Sequence, residues 1–479
     1  MKKLLLGCTM LLATLSPKSS AAEQVLTLGD SLTFAYEAEF GFRISVPFLG
    51  TYGDNFDSSV QNWVEILHSP DYRNAYFDQG ERDDITLNLL FSSTNLFFRR
   101  EYNWAVPGMK IDQLRRYLNQ EVSLRDILAE SPEFADLLTA LDLSNYKDAD
   151  FDVIDLAEQV ENSAERLVLF IGGNDINQVY GDIYLNNAPG TFVQDYIDDA
   201  TAIIDWIQTI NPDLPIVVVN VPHVGITPDV QASYPSDPIK TEHVTQVLIN
   251  LNQQLEQLCQ LKDIAYADIF SITLPLLTND KLCIHGITFS NSGSTTGELS
   301  HVWLNGPLSA NFHPNTNAHT LIANQIIHAF NRHYQSGIPP LTATEMLVGL
   351  LNHSAADIDM PFDAWMNGFG LNGHPASDDS DHDGLNAGTE FALGLNPTFK
   401  DSEFYTQSIA GSTETPSWQL AYPVRLPSSS HYTLTPKTSS DLIHFTPLSP
   451  STGSDGITRA SHPILTGKAY LRLETIITP

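Results

Sequence analysis

Apolar positions along this chain follow two periods. Val25–Leu28 is a short apolar run that ends at Gly29-Asp30-Ser31, and Leu167–Ile171 is another that ends at Gly172-Gly173. Both read as buried strands running into turns. Within 198–210, Ile203, Ile204, Ile207 and Ile210 share one helical face, and the β-branched run Leu214–Val221 follows as a strand. Val244, Val247, Leu248, Leu251, Leu255 and Leu258 put a second helix over 243–261, with a strand at 263–267 after it. A further amphipathic stretch runs from Ala318 to Phe330. Strands alternating with helices predict parallel βα units.

The pattern breaks at Gln335-Ser336-Gly337-Ile338-Pro339-Pro340, which reads as a linker. A short helical pattern at 342–351 and the segment from Phe362 lead into an acidic loop. From Phe404 the chain is rich in Ser, Thr and Pro, with strand-like alternation in Ala469–Glu474, as in a small β-sandwich-like module. The organisation read from sequence is a leader at 1–22, a first domain at 23–334, a linker with a short helix at 335–376, an acidic loop at 377–400 and a β-rich module at 401–479. Two insertions stand out in the first domain. The stretch between Ser31 and Gly108 carries Phe34, Phe40, Phe42, Phe48, Phe91, Phe97 and Phe98, read as a satellite core or as walls of an acyl pocket. The Gly/Ser/Thr-rich stretch Cys283–Gly306 reads as a mobile rim.

Met1-Lys2-Lys3, an apolar run Leu4–Leu15 and the small residues Ser19–Ala22 form a secretory leader too short for a membrane span. A secreted or periplasmic protein is therefore expected. Removing 1–22 takes away three lysines and no acid, leaving 21 basic against 57 acidic side chains and a net charge of −36. Such a balance speaks against nucleic acid as a partner, because phosphate binding needs clustered positive charge. Two cysteines remain, Cys259 and Cys283, which in an oxidising compartment either close a disulfide or stay as two buried thiols.

Four blocks carry candidate chemistry, each an ordinary turn or surface residue if taken alone. Ser31 follows the first strand in Gly-Asp-Ser-Leu. Gly108 ends Asn103-Trp104-Ala105-Val106-Pro107-Gly108, where a missing side chain lets a backbone N–H approach a ligand. Asn174 follows Gly172-Gly173 at the end of a strand, and His313 precedes the helix at 318–330. A serine hydroxyl needs an adjacent base to become a nucleophile, and imidazole titrates near neutrality. Attack on an ester carbonyl then builds charge on oxygen, which preorganised donors must meet.

In the order Ser, Gly, Asn, His, these blocks closely resemble the SGNH or GDSL hydrolase family over roughly Gln24–Tyr334. The resemblance implies a three-layer α/β/α domain with a central parallel sheet and a site at the carboxyl ends of its strands. It implies Ser31 as nucleophile and His313 as base, with an oxyanion hole formed by the backbone N–H groups of Ser31 and Gly108 and the side chain of Asn174. No cofactor is implied for catalysis. The expected activity is cleavage of carboxylic esters through an acyl-serine, with a lipid or an acylated carbohydrate as substrate.

One departure stands out. Relatives carry an acid three residues before the histidine, and this chain has Ala310. His313 is then held by a backbone carbonyl, or by a carboxylate from elsewhere such as Glu298, or works in a Ser–His dyad; the dyad and carbonyl readings are preferred. The two alternatives to a lipase or esterase are a polysaccharide O-acetyl esterase and a binding or adhesion protein whose fold has lost its chemistry.

The acidic loop runs Asp379-Ser380-Asp381-His382-Asp383-Gly384-Leu385-Asn386-Ala387-Gly388-Thr389-Glu390. Carboxylates at positions 1, 3 and 5, a backbone carbonyl at 7 (Leu385) and Glu390 at 12 match the spacing that wraps a Ca²⁺ ion. The loop resembles the compact calcium loops of thrombospondin type 3 repeats, which implies a structural Ca²⁺. Three roles fit the β-rich module after it: attachment to a polysaccharide or cell surface, recognition during secretion, and stabilisation.

Overall fold

The computed structural model describes residues 22–40, 44–46, 50–52, 56, 59–89, 92–123, 126–127, 130, 152–235, 237–306, 310–410, 416–426, 429–453, 456–464 and 470–478. The leader lies outside them except for its last residue, as do Phe42, Phe48 and Phe91 of the aromatic insertion.

Four parallel strands make the centre: β1 (Val25–Gly29), β2 (Arg166–Phe170), β3 (Ile216–Val219) and β4 (Ala265–Ala267), side by side in chain order. Val25 pairs with Arg166 and Gly29 with Phe170. On the outer side of β1 the chain from Tyr102 to Val106 runs alongside as an irregular extra strand. There Thr27 N–H donates to Tyr102 O at 2.9 Å, Trp104 N–H to Thr27 O at 2.8 Å and Val106 N–H to Gly29 O at 3.0 Å.

Helices α1 (Trp63–His68), α2 (Ile111–Leu118), α3 (Val153–Asn162), α4 (Gly173–Tyr184), α5 (Phe192–Ile210), α6 (Pro238–Lys262) and α7 (Thr316–Tyr334) flank the sheet. Strand side chains alternate between faces. Leu26, Leu28, Leu167, Leu169, Ile216 and Val218 therefore pack into a core with α2 to α6, while Val25, Val168, Phe170, Val217 and Val219 pack on the other face with α1 and α7. This is the expected three-layer α/β/α arrangement. Both faces being covered explains why the strands are apolar throughout rather than alternating.

The helix expected over 243–261 extends to 238–262. Asp237 caps its start and accepts from Ile239 and Lys240 N–H, Pro238 sits at its first position, and Asp263 ends it in the left-handed conformation at φ +53°. The buried stripe is the one that the spacing indicated, Val244, Leu248, Leu251, Leu255 and Leu258.

Of the two states open to Cys259 and Cys283, the structure has both thiols free, and burial pushes each up to about 12. The stretch 283–306 is no mobile rim: β5 (Lys281–Ile284), β6 (Ile287–Ser294) and β7 (His301–Leu304) form a sheet whose Phe289, Val302 and Leu304 are buried. Nor is 335–340 an exposed spacer, since Ile338 is buried and exchanges hydrogen bonds with the Asn331 side chain at 2.7 and 2.8 Å. Arg73 donates to the carbonyls of Pro339 and Pro340 and pairs with Glu345 at 2.8 Å.

Beyond it, Met346, Leu347, Leu395, Phe404, Leu420 and Tyr422 join the same core that α7 and the sheet share. The C-terminal part holds two small sheets. One orders Thr406–Ala410, Ser417–Tyr422, Thr458–Pro463 and Ser451–Thr452; the other orders Thr446–Pro447, Tyr432–Ser439 and Tyr470–Ile477. Arg425 knots the parts together. It is buried, donates to His285 O and Ile358 O at 3.0 Å each, and lies 4.8 Å over the Phe391 ring. No helix among the described residues is long and apolar enough to cross a membrane.

Candidate active site

The site is assembled where three strands run out at their carboxyl ends. After Gly29, Thr33 and Phe34 N–H turn back onto Asp30 O at 3.0 Å, and Ser31 sits within that turn. The extra strand beside β1 delivers Pro107-Gly108. Gly108 adopts φ +77°, a conformation that other residues disfavour and that lets its backbone face the cleft. After β2 the chain turns through Gly172 at φ +125°, where a Cβ would lie 2.7 Å from the Tyr196 hydroxyl and from Val221. Helix α4 then starts, with Asn174 in its first turn.

Two buried carboxyls brace these turns. Asp30 accepts from Leu32 N–H at 3.0 Å and from the amides of Gly172 and Gly173, so it ties the serine turn to the asparagine turn. Asp175 accepts Ile111 N–H on both oxygens at 3.2 Å, which ties the asparagine turn to the chain just after Gly108. Burial raises both carboxyls to about 7, against the partial relief their backbone donors give. Asn174 donates one amide hydrogen to Met109 O at 3.2 Å. That bond orients the amide on the cleft wall.

His313 is held from behind by the sheet once read as a rim. Leu304 N–H donates to His313 O at 3.0 Å, and Trp303 bridges Pro314. Asn315 caps α7, and its amide reaches Glu298 O at 3.0 Å and His301 O at 3.1 Å. From the other side, Tyr36 donates to Pro314 O at 3.0 Å and meets His319 Nε2 at 2.7 Å. Burial and the nearby His313 push His319 down to about 3, so it is neutral. The rings of Phe40, Tyr36 and Phe312 surround His313 edge-on at 5.3, 6.1 and 6.3 Å.

Sequence reasoning missed Glu39. It ends the helical turn Tyr36–Glu39, and its Oε1 lies 3.6 Å from His313 Nε2, with both side chains more than nine-tenths buried. The carboxylate suggested from sequence, Glu298, is two-thirds exposed and turns instead to Ser300 and His301. Ala310 lies in a short 3-10 turn before His313 and offers no acid. Ser31, Glu39, Gly108, Asn174 and His313 line one cleft of about 330 Å³. Its described walls also hold Lys110, Gln113, Asn177, Gln178, Glu130 and Asp229, with Pro107, Ile127 and Phe312 as the apolar share.

The acidic loop stands apart from this cleft. Asp379, Asp381 and Asp383 converge so that one oxygen of each lies within 4.8 Å of the others, and Asp383 does the same with Glu390 and Asp401. Leu385 follows with its N–H on the Asp383 carboxylate at 2.8 Å. Burial and the three neighbouring aspartates push Glu390 up to about 9.

A family model described as GDSL-like lipase/acylhydrolase matches residues 25–326, a span that takes in Ser31, Gly108, Asn174 and His313. No curated protein matches the chain. Among solved structures, the extracellular lipase from Streptomyces rimosus is similar over 64% of this chain and 100% of its own, at 14% identity and a TM-score of 0.29, a likeness that carries no argument by itself. The match across most of the chain, together with the four blocks meeting in one cleft, places this protein in the GDSL-like lipase/acylhydrolase family of ester hydrolases.

Proposed function

We propose that the protein cleaves carboxylic esters by acyl transfer through Ser31, with His313 as general base and Glu39 as the carboxylate that positions and charge-balances the imidazole. The observation that carries this reading is the convergence of Ser31, Gly108, Asn174, His313 and Glu39 on a single cleft. Ser31 Oγ attacks the ester carbonyl carbon while His313 takes its proton. The negative charge that forms on the carbonyl oxygen meets the N–H groups of Ser31 and Gly108 and the Asn174 amide. Collapse expels the alcohol, protonated by His313, and leaves an acyl-serine. Water, deprotonated by the same imidazole, then releases the acid. While the imidazolium exists, Glu39 at 3.6 Å offers a gross attraction of about 5 kcal/mol at an effective dielectric near 20.

A lipid or other acyl ester remains the leading substrate, from the aromatic insertion whose Phe40 packs beside His313. A second reading, a carbohydrate O-acetyl ester, is favoured by the polar side chains Gln113, Asn177 and Gln178 on the cleft wall. p-Nitrophenyl esters from acetate to palmitate separate the two, since an O-acetyl esterase should lose activity steeply beyond the shortest acyl chains. Equal hydrolysis by wild type and Ser31→Ala would sink the whole mechanism. Labelling of Ser31 by a fluorophosphonate distinguishes the enzyme from an inert scaffold, which should not react. Export follows from the leader at 1–22, and attachment to a polysaccharide or cell surface through the β-rich module is a further reading that cosedimentation tests.

A further inference from the structure

Four carboxylates gather around a fifth, that of Asp383. Asp379 and Asp381 approach it from within the loop, and Glu390 and Asp401 from outside the loop's first turn. Asp401 is not part of the twelve-residue spacing. It lies eleven residues after Glu390, at the entry to the first C-terminal strand, and reaches the cluster because its N–H donates to Asp383 Oδ2 at 3.2 Å while its own carboxylate accepts Asn396 N–H at 2.9 Å. Repulsion among carboxylates so close would spread them unless a cation sits between them.

Glu390 supplies the independent observation. It stands on α8 (Ala387–Leu393), is 1% exposed, and neither of its oxygens meets a hydrogen-bond donor. None of the ion pairs among the described residues involves Asp379, Asp381, Asp383 or Glu390. A buried carboxylate without donors is costly unless a metal takes its lone pairs. An all-oxygen set of this charge suits a hard cation with a large, flexible shell. Mg²⁺ demands a tight octahedron and holds its waters, whereas Ca²⁺ takes six to eight oxygens at longer range.

We propose that Asp379, Asp381, Asp383, Glu390 and Asp401 together bind one Ca²⁺, and that the ion staples the acidic loop, α8 and the entry to the C-terminal sheets into one unit. The staple follows from where the ligands sit. Phe391 of α8 packs with Phe362, Trp365 and Tyr432, Leu393 and Leu395 enter the core shared with α7, and Ala392 O accepts Arg425 N–H at 3.0 Å. Ion binding at Glu390 therefore fixes a helix on which both sides lean, and Asp401 extends that hold to the next strand.

The test uses the full chain stripped with chelator, titrated with CaCl₂ and separately with MgCl₂ by calorimetry. One Ca²⁺ per chain is expected, with Mg²⁺ far weaker. Glu390→Gln and Asp401→Asn should each weaken Ca²⁺ by roughly tenfold or more, as losses around metal sites usually do. Stripped wild type should melt several degrees lower than the Ca²⁺ form, because a ligand of the folded state stabilises it by mass action. It should also be cut faster by protease between 396 and 405, a readout that holds even where a variant misfolds. Initial ester hydrolysis at low temperature should be equal with and without the ion. Absence of Ca²⁺ binding to stripped wild type overturns the site. Unchanged affinity in Asp401→Asn overturns the staple, and immediate loss of turnover in folded, stripped protein places the metal in the catalytic cleft instead.

Discussion

Glu39 and His313 face each other across 3.6 Å at the edge of the cleft, one from the turn that follows the nucleophile and the other from the loop before the last helix of the hydrolase. The family's usual acid position is alanine here, so the carboxylate beside the base comes from a different part of the fold.

Glu39→Gln should lower kcat by roughly ten- to a hundredfold with little change in KM, since the carboxylate acts on the imidazole rather than on bound ester. A neighbouring carboxylate favours the charged imidazole, and its removal lowers the histidine's pKa. The base must be neutral to accept a proton, so the acid limb of the kcat profile should move to lower pH in the variant. A drop in kcat with an unmoved acid limb would assign Glu39 a packing role only.

Asn174→Ala should cost about 3 kcal/mol of transition-state stabilisation, the range seen for one oxyanion donor. The loss should appear in kcat, because the amide meets charge that is absent from the ground state. Should KM rise while kcat holds, Asn174 is a substrate-binding residue.

Buried carboxyls should make the fold less stable at pH 8 than at pH 6.5. Asp30, Asp175 and Glu65 are all raised to about 7 by burial, so each holds its proton more tightly folded than unfolded and costs stability as pH climbs from its ordinary value, 3.8 for the aspartates and 4.5 for Glu65, through 7. The buried histidines His223, His285 and His319, lowered to about 4, 3 and 3, act oppositely: the unfolded chain takes their protons, and their favourable contribution is nearly complete by pH 6.5. Between 6.5 and 8 the carboxyls outweigh them by roughly 1 kcal/mol in total. Urea denaturation in saturating calcium at the two pH values measures this, and a rise in stability would contradict it.

Arg425→Ala should destabilise the whole protein by on the order of 3 kcal/mol, since it strands two buried carbonyls and uncovers the Phe391 ring. The transition should remain single in urea, because Arg425 joins parts that share one core. Two separate transitions in wild type would show that the parts unfold independently.

The four blocks were readable in sequence because each is local: a strand end, a glycine turn or a helix start sets the position of its functional group. The same holds for the helical stripes, whose spacing survives unchanged in α5 and α6. Glu39 was hidden because its partner is set by tertiary packing. A trace of it was there, since Tyr36, Glu39 and Phe40 fall on one side of a helical turn, with the two rings 4.8 Å apart. Asp401 lies beyond the twelve-residue loop, so the loop's spacing gives no sign that it meets Asp383 and Glu390. The Gly, Ser and Pro of 283–306 and 335–340 read as a mobile rim and a linker, since composition alone does not show where their backbone groups pair. In fact their polar backbone is used up by β6, Asn315, Asn331 and Arg73.

Helix α7 directly follows His313 and lies on the sheet, but its far side is roofed by later sequence: the His328 ring lies tilted against Phe404 at 3.9 Å, and Asn324 donates to Leu341 O at 3.1 Å. That face of α7 is therefore covered by residues that come after it in the chain. A chain ending at α7 would leave apolar and aromatic surface open to water on the helix that directly follows His313, so the later sequence helps keep that helix on the sheet.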